Sequence, residues 1–289
     1  MEVAGEKENL FKILKQIVGI PSPTKKEKDL VKFIEKTYCH PADGSNWVAE
    51  TDKFHNMYIR RRSDNGEKKL PLLMAHLDTV LSLCPKENYQ KLGTSDFLQL
   101  VNGQVKKSEK DKIHAGFDDK AGVAAILMIM SKSDMQFRVL FVTQEEAGKE
   151  YTKYDRRGGR GIDFALETGF PHVCKHTSWI IYLDRENKSD IIVKYGNDDK
   201  PNRPRIRLCS KIFEKWIIEC STAVDHPMFV IKSDNIADPY NIRRKFENLD
   251  VVNLSCGFYH EHKNSDSLNI DETLGVMKVV EECLRVGFP

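Results

Sequence analysis

Apolar residues recur along this chain at two periods, and the alternation between them outlines a fold. Leu10, Phe11, Ile13, Leu14, Ile17 and Val18 follow helical spacing, which Gly19-Ile20-Pro21-Ser22-Pro23 interrupts. Thr24 and Glu27 have the spacing of a capping box ahead of Leu30, Val31, Phe33 and Ile34, so a second helix is predicted to run to about Tyr38. Residues 46–62 read as a hairpin of short strands, and Leu70 to Ala75 is an apolar run suited to a buried strand. After Val80 the pattern weakens, so residues 81–113 are expected to form a surface excursion, with one hairpin where Asn102-Gly103 separates FLQLV from QVKK. Ala121 to Met130 reads as a buried helix and Asp271 to Val286 as an amphipathic one. Strands are predicted at Arg138 to Thr143, Trp179 to Asp184, Ile191 to Tyr195, Met228 to Ile231 and Val251 to Cys256, while Ile212 to Ile218 suits helix or strand. Short apolar strands alternating with helices predict an α/β fold, a mixed, mostly parallel sheet flanked by helices on both faces. No repeat, low-complexity tract or linker divides residues 1–289, which favours a single domain.

Composition narrows the functional classes. The 289 residues are 40% hydrophobic and 30% charged, an ordinary globular balance that excludes a disordered or fibrous chain. With 45 basic against 43 acidic residues there is no footprint for nucleic acid, and Arg60-Arg61-Arg62 and Arg156-Arg157 read as solvated surface. Seven cysteines without a CxxC argue against both a disulfide framework and a thiolate zinc site, and point to a reducing, cytoplasmic compartment. The N-terminus carries acids and lysines where a signal peptide would be apolar, and the longest apolar stretch, Ala121 to Met130, is about half a membrane span. No membrane contact is expected, and a monomer suffices.

The chemistry gathers at the ends of the predicted strands, where open α/β sheets bind ligands. His76 follows the strand ending MA, with Asp78 two residues on and able to hydrogen-bond the imidazole. Asp118, Asp119 and Lys120 sit at the start of the buried helix. Glu145 and Glu146 close the strand LFVT, where adjacent like charges call for a cation or a shared proton. Asp184 ends WIIYLD, and His260, Glu261 and His262 follow VVNLSC. Five junctions rich in His, Asp and Glu, without a thiolate, suit zinc, manganese or cobalt. Cys256 lies inside an apolar strand and reads as core, and Gly158-Gly159-Arg160-Gly161 lacks the lysine of a phosphate loop.

In this order HLDTV, GFDDKAG, TQEEAG, YLD and a late histidine resemble the five ligand segments of the dinuclear zinc exopeptidases of clan MH, and GIPSPTKKE resembles their first-helix opening. That group includes peptidase T, carboxypeptidase G, aminoacylase and the single-domain zinc aminopeptidases. The resemblance implies two divalent ions, zinc first and manganese or cobalt as alternatives. It assigns His76 to one ion with Glu146 beside it, Asp118 as the bridging carboxylate, Asp184 to the second ion, and His262 as the last ligand ahead of His260. Asp78 would orient His76, Asp119 would stand behind the ligands, and Glu145 would be the general base of metal-assisted amide hydrolysis. Asp184 and His262 are only about 78 residues apart in sequence, too few for the dimerisation lid of many relatives, so one compact catalytic domain is expected. The implied substrate is a short peptide cut from the amino end, or else a small acylated amine or a peptide cut from the carboxyl end. The loop from Glu150 to Arg160 holds both acids and bases and does not choose between them. A decayed, non-catalytic binding protein is the reading from another class.

Overall fold

Alternate residues of the central strands leave the sheet on opposite faces, and each face meets its own helices. The computed structural model describes residues 2–40, 45–80, 98–107, 114–148, 161–200, 204–234 and 237–289. Its elements are α1 (Glu2–Val18), α2 (Lys28–Tyr38), β1 (Trp47–Thr51), β2 (Met57–Arg61), β3 (Leu70–His76), β4 (Leu98–Val101), β5 (Gln104–Lys107), α3 (Phe117–Lys132), β6 (Arg138–Val142) and the one-turn α4 (Gly161–Phe164). Then come β7 (Thr177–Arg185), β8 (Asp190–Tyr195), β9 (Ile206–Arg207), α5 (Lys211–Ala223), β10 (Phe229–Ser233), α6 (Asp238–Lys245), β11 (Asp250–Ser255), β12 (Phe258–Tyr259), β13 (Ser267–Asn269) and α7 (Ile270–Val286).

The main sheet runs β1-β2-β6-β3-β7-β11-β8-β10, with β9 on β8. Its centre, β6-β3-β7-β11, is parallel, β8 pairs antiparallel with β11, and β10 is parallel to β8. On one face Leu73, Ala75, Val139, Phe141, Ile181 and Leu183 pack with α1, α3 and α7. On the other, Leu72, Met74, Leu140, Val142, Ile180 and Tyr182 pack with Ile162 of α4 and Ile242 of α6. This two-residue period is why runs such as LPLLMA are apolar throughout. The expected α/β architecture is therefore present. Parallel β3, β6 and β7 also bring their carboxyl ends to one edge, where the candidate chemistry lies.

Three local expectations change. The 212–218 segment is helix α5, capped by the Ser210 hydroxyl, which accepts from the Phe213 amide at 3.1 Å. The Asn102-Gly103 hairpin exists, but it belongs to a second sheet, β12-β13-β5-β4, rather than standing alone. The rest of the 81–113 excursion and the Glu150 to Arg160 loop lie outside the described residues. Thr24 and Glu27 do not form a capping box. The Thr24 hydroxyl donates to Asp78 Oδ2 at 2.9 Å, and Glu27, at the helix N-cap, accepts from the Lys25 and Gln144 amides at 2.9 and 3.3 Å. Both side chains tie the N-terminal segment to the strand ends. Pro23 also bridges to Thr79, with the Thr24 amide donating to the Thr79 carbonyl at 3.1 Å. No helix among the described residues is long and apolar enough to cross a membrane.

Candidate metal centre

His76 is the last residue of β3 and is buried between two loops of acids. Its Nε2 lies 3.1 Å from Asp118 Oδ1 and 3.5 Å from Asp184 Oδ1, while Nδ1 lies 3.0 Å from the Asp78 carbonyl oxygen and 3.5 Å from its carboxylate. On the other side of Asp118, His262 Nε2 stands 3.1 Å from Oδ2 and 2.5 Å from Glu146 Oε1. Asp118 thus turns one oxygen to His76, which also faces Asp184, and the other to His262, which also faces Glu146. The resemblance grouped Glu146 with His76. Ligand atoms of His76, Asp118 and Glu146 do fall within 4.8 Å of one another, as do those of His76, Asp119 and Asp184, but His262 is the imidazole nearer Glu146. His260 is exposed, and its backbone and that of His262 are both left-handed, at φ 62° and 58°.

Backbone geometry delivers each group. The Asp118–Asp119 peptide is cis, and neither residue is helical, so α3 coils regularly only after them. Asp119 is turned inward, accepting from the His76 amide at 3.0 Å and the Gly122 amide at 3.1 Å. A β-carbon on Gly122 would stand 2.1 Å from the Leu183 carbonyl oxygen and 2.5 Å from Asp119 Oδ1, so glycine lets α3 press against β7 beside Asp184. After β6 the chain turns at Gln144, φ 59°, into a 3₁₀ turn that carries Glu145 and Glu146. An extended strand would have pointed these neighbours apart; the turn frees them from that alternation. Its anchor is Asp78, whose carboxylate accepts from the Glu145 and Glu146 amides at 3.0 and 3.1 Å. Asp78 therefore meets His76 chiefly through its carbonyl and spends its carboxylate on the glutamate turn, a broader duty than the sequence reading gave it.

The charges are mutually dependent. Burial lowers the proton affinity of His76, but Asp184, Asp118 and Asp78 overcome that and hold it well above the usual histidine range. Hydrogen bonds to Asp118 and Glu146 lift His262 to about 10. Burial pushes the carboxyls of Asp184, Asp119 and Glu146 up. Asp118 goes the other way, because hydrogen bonds from both histidines outweigh its burial. Four acids and two imidazoles in one buried place call for compensating positive charge, which protons or metal ions can supply.

Sequence reading overlooked several supporting residues. Asn253 of β11 accepts from the Asp184 amide at 3.0 Å and donates to the Asp184 carbonyl and Tyr195 Oη, each at 2.8 Å; a buried asparagine within VVNLS was its visible signal. Asn56 accepts from the Thr143 amide at 2.9 Å, just ahead of the glutamate turn. Thr24, Glu27 and Asp266 act across separations no local pattern reveals. Cys256 is buried and its thiol pushed well up by that burial, as core placement requires.

No family model matches the sequence, and neither does any curated relative. Solved structures do match in three dimensions. Aminopeptidase PepT from Bacillus cereus superposes with a TM-score of 0.73 at 12% identity, over 96% of this chain and 98% of its own. The chain has the fold of this aminopeptidase. A tripeptidase from Staphylococcus aureus shares this fold at a TM-score of 0.72 and 13% identity, over 97% of this chain and 98% of that one. So does the TET1 peptidase of Pyrococcus horikoshii, which can assemble into a tetrahedron or a large octahedral shell, at 0.63 and 13%, over 95% and 99%.

Proposed function

We propose that the chain is a metal-dependent exopeptidase that hydrolyses amide bonds of short peptides from the amino end. The observation that carries this reading is the meeting of His76, Asp118, Glu146, Asp184 and His262 at one sheet edge, in a fold shared with aminopeptidases and a tripeptidase. The donor set fits divalent metal. It contains only carboxylate oxygens and imidazole nitrogens, crowded closely enough that their like charges need a cation, and zinc is the first choice over manganese or cobalt. His76 and Asp184 would hold one ion, Glu146 and His262 the other, and Asp118 both.

Bound metal supplies Lewis acidity towards the scissile carbonyl and lowers the pKa of water. Glu145 acts as the general base, taking a proton from the attacking water and passing it to the leaving amine. The Asp78 carboxylate holds Glu145 and Glu146 in a fixed relation by gripping both amides. Asn253 and Asp119 set Asp184 and His76 by their backbones.

The test pairs zinc analysis with a panel of dipeptides, tripeptides, N-blocked peptides and N-acyl amino acids. Cleavage of free-amine peptides is expected, lost on chelation and restored by zinc. Glu145→Gln keeps the side chain's shape but cannot accept the proton, so it should retain metal and lose about 10²- to 10⁴-fold in kcat. Near-wild-type turnover in that variant would remove Glu145 from the base's role, and preference for N-acyl amino acids would turn the reading to deacylation.

A further inference from the structure

Asp266 lies four residues beyond His262, buried at the foot of the same loop, and leads directly into β13. Its Oδ2 accepts from the backbone amides of Ala115 at 3.1 Å, Gly116 at 3.0 Å and Phe117 at 3.5 Å. These three consecutive N–H groups converge because Gly116 is left-handed, φ 68°, the turn that forms an anion-binding nest. A side chain at Gly116 would stand 2.9 Å from Thr79, so the turn is specified by glycine twice over. The next residue in the chain after Phe117 is Asp118.

The other oxygen of Asp266 takes the Lys107 ammonium, from the Asn102-Gly103 hairpin, and the same ammonium donates to the Asn264 carbonyl at 2.5 Å. His114 completes the enclosure. It is buried, neither ring nitrogen has a hydrogen-bond partner among the described residues, and Nε2 stands 3.7 Å from Asp266 Oδ2, so the ring fills the space beside the carboxylate.

We infer that Asp266 is a positioning residue that sets the separation of His262 from Asp118, and with it the half of the metal centre made by Asp118, Glu146 and His262. One carboxylate spans two loops about 150 residues apart in sequence. Its acceptor atoms fix the Ala115–Phe117 backbone, and its own backbone fixes the loop of His262. Lys107 stiffens that link from the second sheet. The other half of the centre, His76 with Asp184, has ties of its own through Asp119 and Asn253 and shares only Asp118 with this latch.

The inference rests on His262 and Asp118 being metal ligands, and the experiment separates the two ideas. Zinc is titrated into chelator-stripped wild type, Asp266→Ala, Asp266→Asn and Lys107→Met against a competing indicator. In parallel, amide exchange at Ala115 to Phe117 is followed in the metal-free proteins. Wild type should bind two ions. Asp266→Ala should weaken one binding event at least tenfold, leave the other within about twofold, and speed exchange at those amides. Asp266→Asn keeps one acceptor oxygen and should recover part of both losses, while Lys107→Met should show a smaller effect of the same sign. If both events weaken equally in step with Tm, or neither changes, Asp266 is only a structural tie and the inference falls alone. A wild-type chain that binds no zinc would overturn the metal reading and the inference with it.

Discussion

Glu27 is buried beside the Asp78 carboxylate, and burial pushes its carboxyl up from 4.5 to about 7, with the Asp78 charge adding to the effect. Between pH 4.5 and 7 the unfolded chain has released this proton and the folded chain keeps it, so the contribution is present at low pH and is lost as pH rises through 7. A displacement from 4.5 to about 7 corresponds to about 3 kcal/mol. Glu27→Gln stays neutral at every pH, and its amide oxygen can still accept from the Lys25 and Gln144 amides. Against wild type, the variant should therefore gain about 3 kcal/mol between pH 4.5 and 8, with the whole gain accrued by about pH 8. At about 2 °C per kcal/mol, the Tm difference should move by about 6 °C. Urea unfolding of chelator-stripped wild type and variant at pH 4.5, 5.5, 6.5, 7.5 and 8 reads the difference, in which titrations common to both proteins cancel. A constant offset across that range would show that Glu27 ionises normally in the folded chain and would refute the argument.

The two late histidines should part company: His262→Ala is expected to lose one of two bound ions, whereas His260→Ala keeps both, as metal analysis of the purified variants will read; the reverse pattern would move the ligand by two residues. Gly122→Ala puts a methyl 2.1 Å from the Leu183 carbonyl and 2.5 Å from Asp119 Oδ1. It should cost about 1–3 kcal/mol in urea unfolding, and a change under about 0.5 kcal/mol would mean that α3 and β7 part without strain.

What the sequence made legible was whatever repeats locally. LPLLMAH and WIIYLD announced buried strands because both faces of the sheet are covered, and the acids and His76 stood out by following such runs. Helix α6, DPYNIRRK, was invisible because its polar length carries little periodicity, and β12 and β13, of two and three residues, are too short to show one. Thr24 and Glu27 were misread for a sharper reason. Their spacing satisfies a local rule, yet Asp78, 54 residues away from Thr24, and Gln144, 117 away from Glu27, claim the side chains first. Asp266 gave no signal, since an acid in a polar turn means nothing until the 115–117 amides are known to face it.

The site's groups leave the ribosome far apart in time. His76 and Asp118 are made early, but the imidazole that faces Asp118 and Glu146 comes at residue 262, after every strand of the parallel centre. Any nascent chain shorter than that holds the early acids without their late partner. A growing polypeptide thus lacks the completed cluster of acids and imidazoles until residue 262 has been added and its loop has folded back onto Asp118 and Glu146.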